Sequence, residues 1–328
     1  MKEILLLLCQ FPFNEENRDA LAKRLREVTD WNKLIDLINM HGITALAAYN
    51  IKEAGLANEI PESAWAILEN GLRKNVVRNI WLKERWKEIN QILCNAEIKH
   101  ILLKGMALEY SVYGAMGLRQ MSDNDILIKP QDAERAWQLL QQSGLMAKTV
   151  KSPLYINILP YIGKHFPVLI KDGYAVEIHT RLFDEEIDGD LNYDKLFEEA
   201  IEITVDNNQT FILPEQIHLK YLKSHFAKHV IAGECQLRSY ADLLILDKEM
   251  DYDFPDRFVP NPFQSDIRTF QKAAYKSNVY SVPAKYRLRF IMGDIFPSRE
   301  WMKERYGCNG LKIFFYYPVR IGKLFWLL

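Results

Sequence analysis

The stretch that decides the fold reads Ile101-Leu102-Leu103-Lys104-Gly105-Met106 and resumes at Arg119-Gln120-Met121-Ser122-Asp123-Asn124-Asp125-Ile126-Leu127-Ile128. The apolar run Ile101 to Leu103 has the length of a short buried strand, and Gly105 opens a helical segment running from Met106 to Tyr113. Asp125 to Ile128 reads as a second strand, ended by Lys129-Pro130. Residues two apart on a strand point to the same face, so Asp123 and Asp125 are expected to project together. Two carboxylates held that close repel unless a cation lies between them, and oxygen ligands suit Mg²⁺ or Mn²⁺. A third carboxylate is then wanted from a neighbouring strand. Glu177 fits, because it lies inside the apolar Val176-Glu177-Ile178, where an acid is costly unless neutralised or ligated.

Working outward, Asp132 to Gln142 reads as a helix closed by Ser143-Gly144. Val168-Leu169-Ile170 and Tyr174 to His179 flank Lys171-Asp172-Gly173, a hairpin with a D-G turn. Strand, helix, strand, helix and hairpin describe a small mixed-sheet unit, an α+β core expected over residues 96–213. Upstream, residues 1–95 form an expected helical region. Leu21, Leu25 and Val28 recur at helical steps, and Pro61-Glu62-Ser63 opens a long helix with Trp65, Trp81 and Trp86 among its lysines and arginines. That mixture is read as an aromatic stripe in the core with a solvated charged side. Residues 214–328 are the second flanking helical region, with helices over Glu215–Val230 and Gln236–Lys248, a connector at 250–265 and an aromatic, basic tail from Lys312.

Lys and Arg total 42 against 43 Asp and Glu, a net charge of −1, so no global basic field draws the chain to nucleic acid. Cys9, Cys94, Cys235 and Cys308 share no CxxC spacing and read as free thiols of a reducing compartment. The apolar run Ile4 to Leu8 is broken by Gln10 and Pro12 and lacks a cleavage site, so a cytoplasmic location is expected. No run approaches a membrane span, and the tail is expected to pack on the helical half, with no membrane partner.

At the Lys104-Gly105 strand end, open backbone N–H groups at a helix start suit a phosphate, and Lys104 and Arg119 can add charge for a triphosphate. Metal on one side and a phosphate cradle on the other describe phosphoryl or nucleotidyl transfer. With these residues in hand, the chain resembles the nucleotidyltransferase superfamily typified by polymerase beta. It is most similar to the bacterial family whose strand reads L-K-G, followed by R and S before D-x-D, then a hydrophobic-Glu-hydrophobic-His strand at Val176-Glu177-Ile178-His179. The resemblance spans roughly residues 40 to 250 and takes in His225 and the Leu237-Arg238 to Leu244 segment. It implies that Asp123 and Asp125 ligate Mg²⁺ (or Mn²⁺) with Glu177 as third carboxylate, and that Lys104, Gly105, Arg119 and Ser122 contact nucleotide phosphates. The expected nucleotide cleft lies between core and helices.

The histidines keep open readings. His179 shares the Glu177 strand face and is expected at a phosphate or beside the third carboxylate, or hydrogen-bonded in the core; His165 is a further phosphate candidate. His225 and His229, four apart on a helix, read as a structural pair, with a zinc hydrolase built on them and His179 as a rival. The expected reaction moves an NMP from an NTP to an acceptor hydroxyl, releasing pyrophosphate. The acceptor (small molecule, protein or RNA) and the oligomeric state are not legible. Two alternatives stand: a catalytically silent nucleotide-binding module, and a toxin of a two-gene system acting on tRNA.

Overall fold

The computed structural model describes residues 1–183, 191–232, 236–247, 275–276, 279–280, 282–307 and 309–327. The connector expected at 250–265 and the thiols of Cys235 and Cys308 lie outside the described residues. The apolar run around Leu102 forms strand β1 (His100–Leu103), buried at every position, and Asp123–Ile128 forms β2. Met146–Ala147 (β3), Leu169–Lys171 (β4) and Tyr174–His179 (β5) follow, then Ile201–Val205 (β6) and Asn208–Ile212 (β7). They make one seven-stranded sheet in the order β3-β4-β5-β2-β1-β7-β6. The β3–β4, β4–β5 and β6–β7 pairs are antiparallel, with Leu169 opposite Val176 and Val205 opposite Asn208. The expected hairpin forms as read: Asp172 and Gly173 both take positive φ, 49° and 79°, as a two-residue turn between right-twisted strands requires.

The architecture is α+β, as the sequence indicated. The chain divides into two compact units, one spanning Met1–Glu88, Leu102–Asn124 and Ile201–Asn261, the other Ile89–Ile101, Asp125–Ala200 and Pro262–Leu328.

In the first unit, helices α1 (Lys2–Leu7), α2 (Arg18–Arg26), α3 (Trp31–Met40) and α4 (Thr44–Glu53) turn Leu5, Leu21, Leu25, Leu34, Ile38 and Ile51 into one apolar core. Asp30 caps α3 by accepting the Lys33 amide at 3.0 Å, which satisfies a donor the helix start leaves open. The long α5 (Glu62–Asn95) begins directly after Pro61, and Trp86 is fully buried as expected of its apolar stripe. Helix α6 (Lys104–Ser111) contributes Leu108 to this core, and Phe226, Leu237 and Tyr240 from the later helices close it.

In the second unit, α7 (Pro130–Gln142) buries Ala133, Ala136 and Leu140, and Trp137 donates its indole N–H to the Pro167 carbonyl at 2.9 Å. The short α8 (Tyr193–Glu198) precedes β6; α9 (Glu215–Ala232) and α10 (Leu237–Leu246), the helices expected after Pro214, belong to the first unit. Helices α11 (Ala284–Ile295), α12 (Arg299–Tyr306) and α13 (Tyr316–Leu327) complete the second unit. There Asp294, 1% exposed, accepts from the Tyr155 hydroxyl at 2.7 Å and pairs with Lys151 and Arg320. Among the described residues no helix is long and apolar enough to cross a membrane.

Candidate active site

Alternation on two neighbouring strands builds the site. On β5, Tyr174, Val176 and Ile178 are buried on one side, which sends Glu177 and His179 to the other. On β2, its neighbour in the sheet, Asp125 comes up beside them. The His179 Nε2–H donates to Asp125 Oδ1 at 2.8 Å, and the same nitrogen lies 3.7 Å from Glu177 Oε2. Ligand atoms of Asp125, Glu177 and His179 all lie within 4.8 Å of one another, the one such trio among the described residues. The Asp125 and His179 side chains are 5% and 6% exposed, while Glu177 is 24% exposed and forms the open side.

These residues fit a divalent cation. Two carboxylates brought together at a largely buried position carry negative charge that one imidazole offsets only in part. His179 Nε2, the ring nitrogen that faces both carboxylates, is the one placed to share a cation with them. The donor set adds a nitrogen to the two oxygens, which widens the suitable ions from Mg²⁺ toward Mn²⁺.

Asp123 opens β2 half-buried, two residues before Asp125, and accepts from the Ser122 hydroxyl at 3.4 Å. It is not one of the trio within 4.8 Å, where the sequence had expected Asp123, Asp125 and Glu177 to meet as three carboxylates; His179 holds that third place. Exposed His165 is brought to His179. Phe166 N–H donates to Ile178 O at 2.8 Å and Thr180 N–H to Lys164 O at 2.7 Å, and the two imidazoles meet edge-on with centroids 5.5 Å apart. His225 and His229 of the first unit lie ring against ring, 4.5 Å apart.

Arg119 takes a partner the sequence did not offer. Its Nη2–H donates to Asp242 Oδ2 at 2.8 Å, Nε–H to Asp242 Oδ1 at 3.3 Å, and Nη1–H to the Gln120 carbonyl at 2.7 Å. Tyr113 adds its hydroxyl to Asp242 Oδ1 at 2.9 Å. Burial pulls the Arg119 guanidinium down, but the Asp242 carboxylate outweighs it and holds the group cationic. With three of its donors so engaged and 9% of its surface exposed, Arg119 anchors a buried ion pair.

Gly105 is also set by packing. A Cβ there would sit 3.0 Å from the Met121 Cβ and 3.4 Å from Arg119 Nη1, so any side chain at 105 would press on the 119–121 segment. Lys104 before it adopts φ +45°, a left-handed start that few side chains take.

Sequence reading missed Glu109. It accepts the Gly117 amide at 2.5 Å and the Arg119 amide at 3.2 Å, tying down the loop that leads into β2. Burial raises its carboxyl, opposed by those amides and by Asn79. The signal was present: an acid inside the apolar Met106-Ala107-Leu108-Glu109-Tyr110 invites the same question asked of Glu177.

Two adjacent strands of a mixed sheet thus offer two carboxylates and an imidazole as one possible donor set for a cation. The family model described as "Uncharacterised nucleotidyltransferase" matches residues 27–259, and the chain belongs to that family. No curated protein matches it.

Proposed function

We propose that the chain transfers a nucleoside monophosphate from an NTP to an acceptor hydroxyl, with Asp123, Asp125, Glu177 and His179 as the metal-holding group. The observation that carries this reading is the convergence of Asp125, Glu177 and His179. A bound Mg²⁺ or Mn²⁺ supplies charge neutralisation at the α-phosphate and at the leaving pyrophosphate. The bond formed joins the acceptor oxygen to the α-phosphorus, and the bond broken is the α–β phosphoanhydride. His179 Nε2 would set the position of Asp125 through their 2.8 Å contact before an ion takes up the place they share with Glu177. Glu177, the most exposed of the three, takes the acceptor's proton. From the sequence motif, Lys104, Gly105 and Ser122 are assigned to the triphosphate, with His165 as a further contact.

The test incubates the protein with each α-labelled NTP, Mg²⁺ and a cell extract, and identifies what becomes labelled. Asp125→Asn keeps the side chain's shape and is expected to cut transfer at least about a hundredfold, in line with the loss of a metal-holding group. Full transfer by this variant overturns the assignment. Loss of Mn²⁺ binding by the same variant, followed by electron paramagnetic resonance, reads the metal role apart from turnover.

A further inference from the structure

Helices α11, α12 and α13 lie beyond the residues that match the family. From Val282 onward the sequence carries nine lysines and arginines against Asp294, Glu300 and Glu304, an excess of six positive charges in a chain whose total is −1. The rest of the protein is therefore acidic and this end is basic.

The last segment turns one face inward. Ile313 is buried, the Tyr317 hydroxyl donates to Pro297 O at 2.9 Å, Arg320 Nε–H donates to Asp294 O at 3.3 Å, and Tyr306 and Tyr316 stack at 4.4 Å. The tail thus packs on α11 and α12. Its other face does not pack. Leu311, Phe314, Phe315 and Val319, at helical spacing, are 78%, 60%, 77% and 48% exposed. On α11, Leu288, Met292 and Phe296, four residues apart, are exposed as well. Lys285, Arg299, Arg305 and Lys312 of the same segment are exposed as well. Large side chains concentrated in this way mark an interaction surface.

Charge decides the occupant. A second copy presenting this same face would bring the same positive excess against itself. Nucleic acid would satisfy the cations but not Leu288, Leu311 and Val319, which have no ring to stack on a base. Aliphatic and aromatic groups flanked by long basic side chains match a headgroup layer, whose phosphates meet the cations while the apolar groups enter below them. We propose that this C-terminal face docks on the surface of an anionic lipid bilayer, with Leu311, Phe314, Phe315 and Val319 inserted at the headgroup level. This departs, as a proposal, from the expectation of no membrane partner and is independent of the transfer reaction.

The experiment sediments the full chain with vesicles of phosphatidylcholine alone and of phosphatidylcholine mixed with phosphatidylglycerol. Retention is expected on the mixed vesicles only, weakening as salt rises. The double variant Leu311→Ser/Phe315→Ser is expected to bind at least about tenfold more weakly. Lys312→Glu should weaken binding to the anionic vesicles while leaving the apolar side chains in place. Unchanged melting temperatures for the variants check that the fold is intact. Equal retention by both vesicle types, no retention on either, or wild-type retention by the double variant each overturns the proposal. So does capture of an RNA pool, or self-association in sedimentation, abolished by the double variant with no vesicle binding.

Discussion

Arg119 and Asp242 lie 123 residues apart in sequence and 2.8 Å apart in space, and the pair is nearly sealed from water. Removing one partner leaves a buried charge uncompensated, so Arg119→Met is expected to cost about 3–5 kcal/mol in urea unfolding. The double variant Arg119→Met/Asp242→Leu should recover most of that loss. A residue acting only on nucleotide phosphates would instead raise KM and leave unfolding unchanged. His218 offers a pH test. Burial pushes its imidazole down to about 4, so from the ordinary value of 6.5 down to that figure the unfolded chain binds a proton the folded chain refuses. Stability therefore falls with pH across this window. Between pH 7 and pH 4.5 the wild type should lose roughly 2–3 kcal/mol more than His218→Gln. Local patterning could find Asp123, Asp125 and Glu177, because an acid in an apolar strand stands out by itself. It could not pair Arg119 with Asp242 or His179 with Asp125, since contacts across more than fifty residues leave no trace in spacing.

Among elements, the loop between α6 and β2 is held from two sides. Asn75 and Asn79 of α5 donate to the carbonyls of Gly117 and Arg119 at 2.7 and 3.0 Å, and Glu109 accepts the amides of the same two residues. Gly117, at φ +72°, lies so close to α5 that a Cβ would come within 2.8 Å of the Val76 Cα. Gly55 has a similar φ of +66° with nothing near it. Gly55→Ala should then cost about 1 kcal/mol for its backbone alone, and Gly117→Ala at least about 1 kcal/mol more in the same unfolding assay. The strands around the D-x-D motif and the 169–179 hairpin were legible because apolar runs and a D-G turn mark them. The β6–β7 hairpin was not. Its edge strand leaves Ile201 45% exposed, so alternation there is faint, and the turn uses Asp206-Asn207, both at positive φ, without a glycine to announce it. The short β3 and the 3₁₀ segment Pro153–Tyr161 were missed for want of any periodic pattern at their length.

For the whole molecule, the proposed metal site ties ion binding to folding, because Asp125, Glu177 and His179 meet only when β2 and β5 are in place. Mn²⁺ at a hundred times its Kd is expected to add about 2.7 kcal/mol to the unfolding free energy. The Asp125→Asn/Glu177→Gln variant should show no such gain in a melting series with and without the ion; an equal gain would locate the metal elsewhere. The separation of charge between the family-matched part and the basic end was countable in the sequence. Which apolar residues at that end face outward was not, because Ile313 and Phe315 read alike until packing divides them. One consequence follows from Glu109. It holds its loop by main-chain amides, which every amino acid but proline supplies, so the letter at exposed position 116 is left open to drift. Exposed Met116 can accordingly be exchanged for a cysteine bearing a spectroscopic reporter, whose signal would follow the tether and the strand it leads into rather than the side chain it replaced.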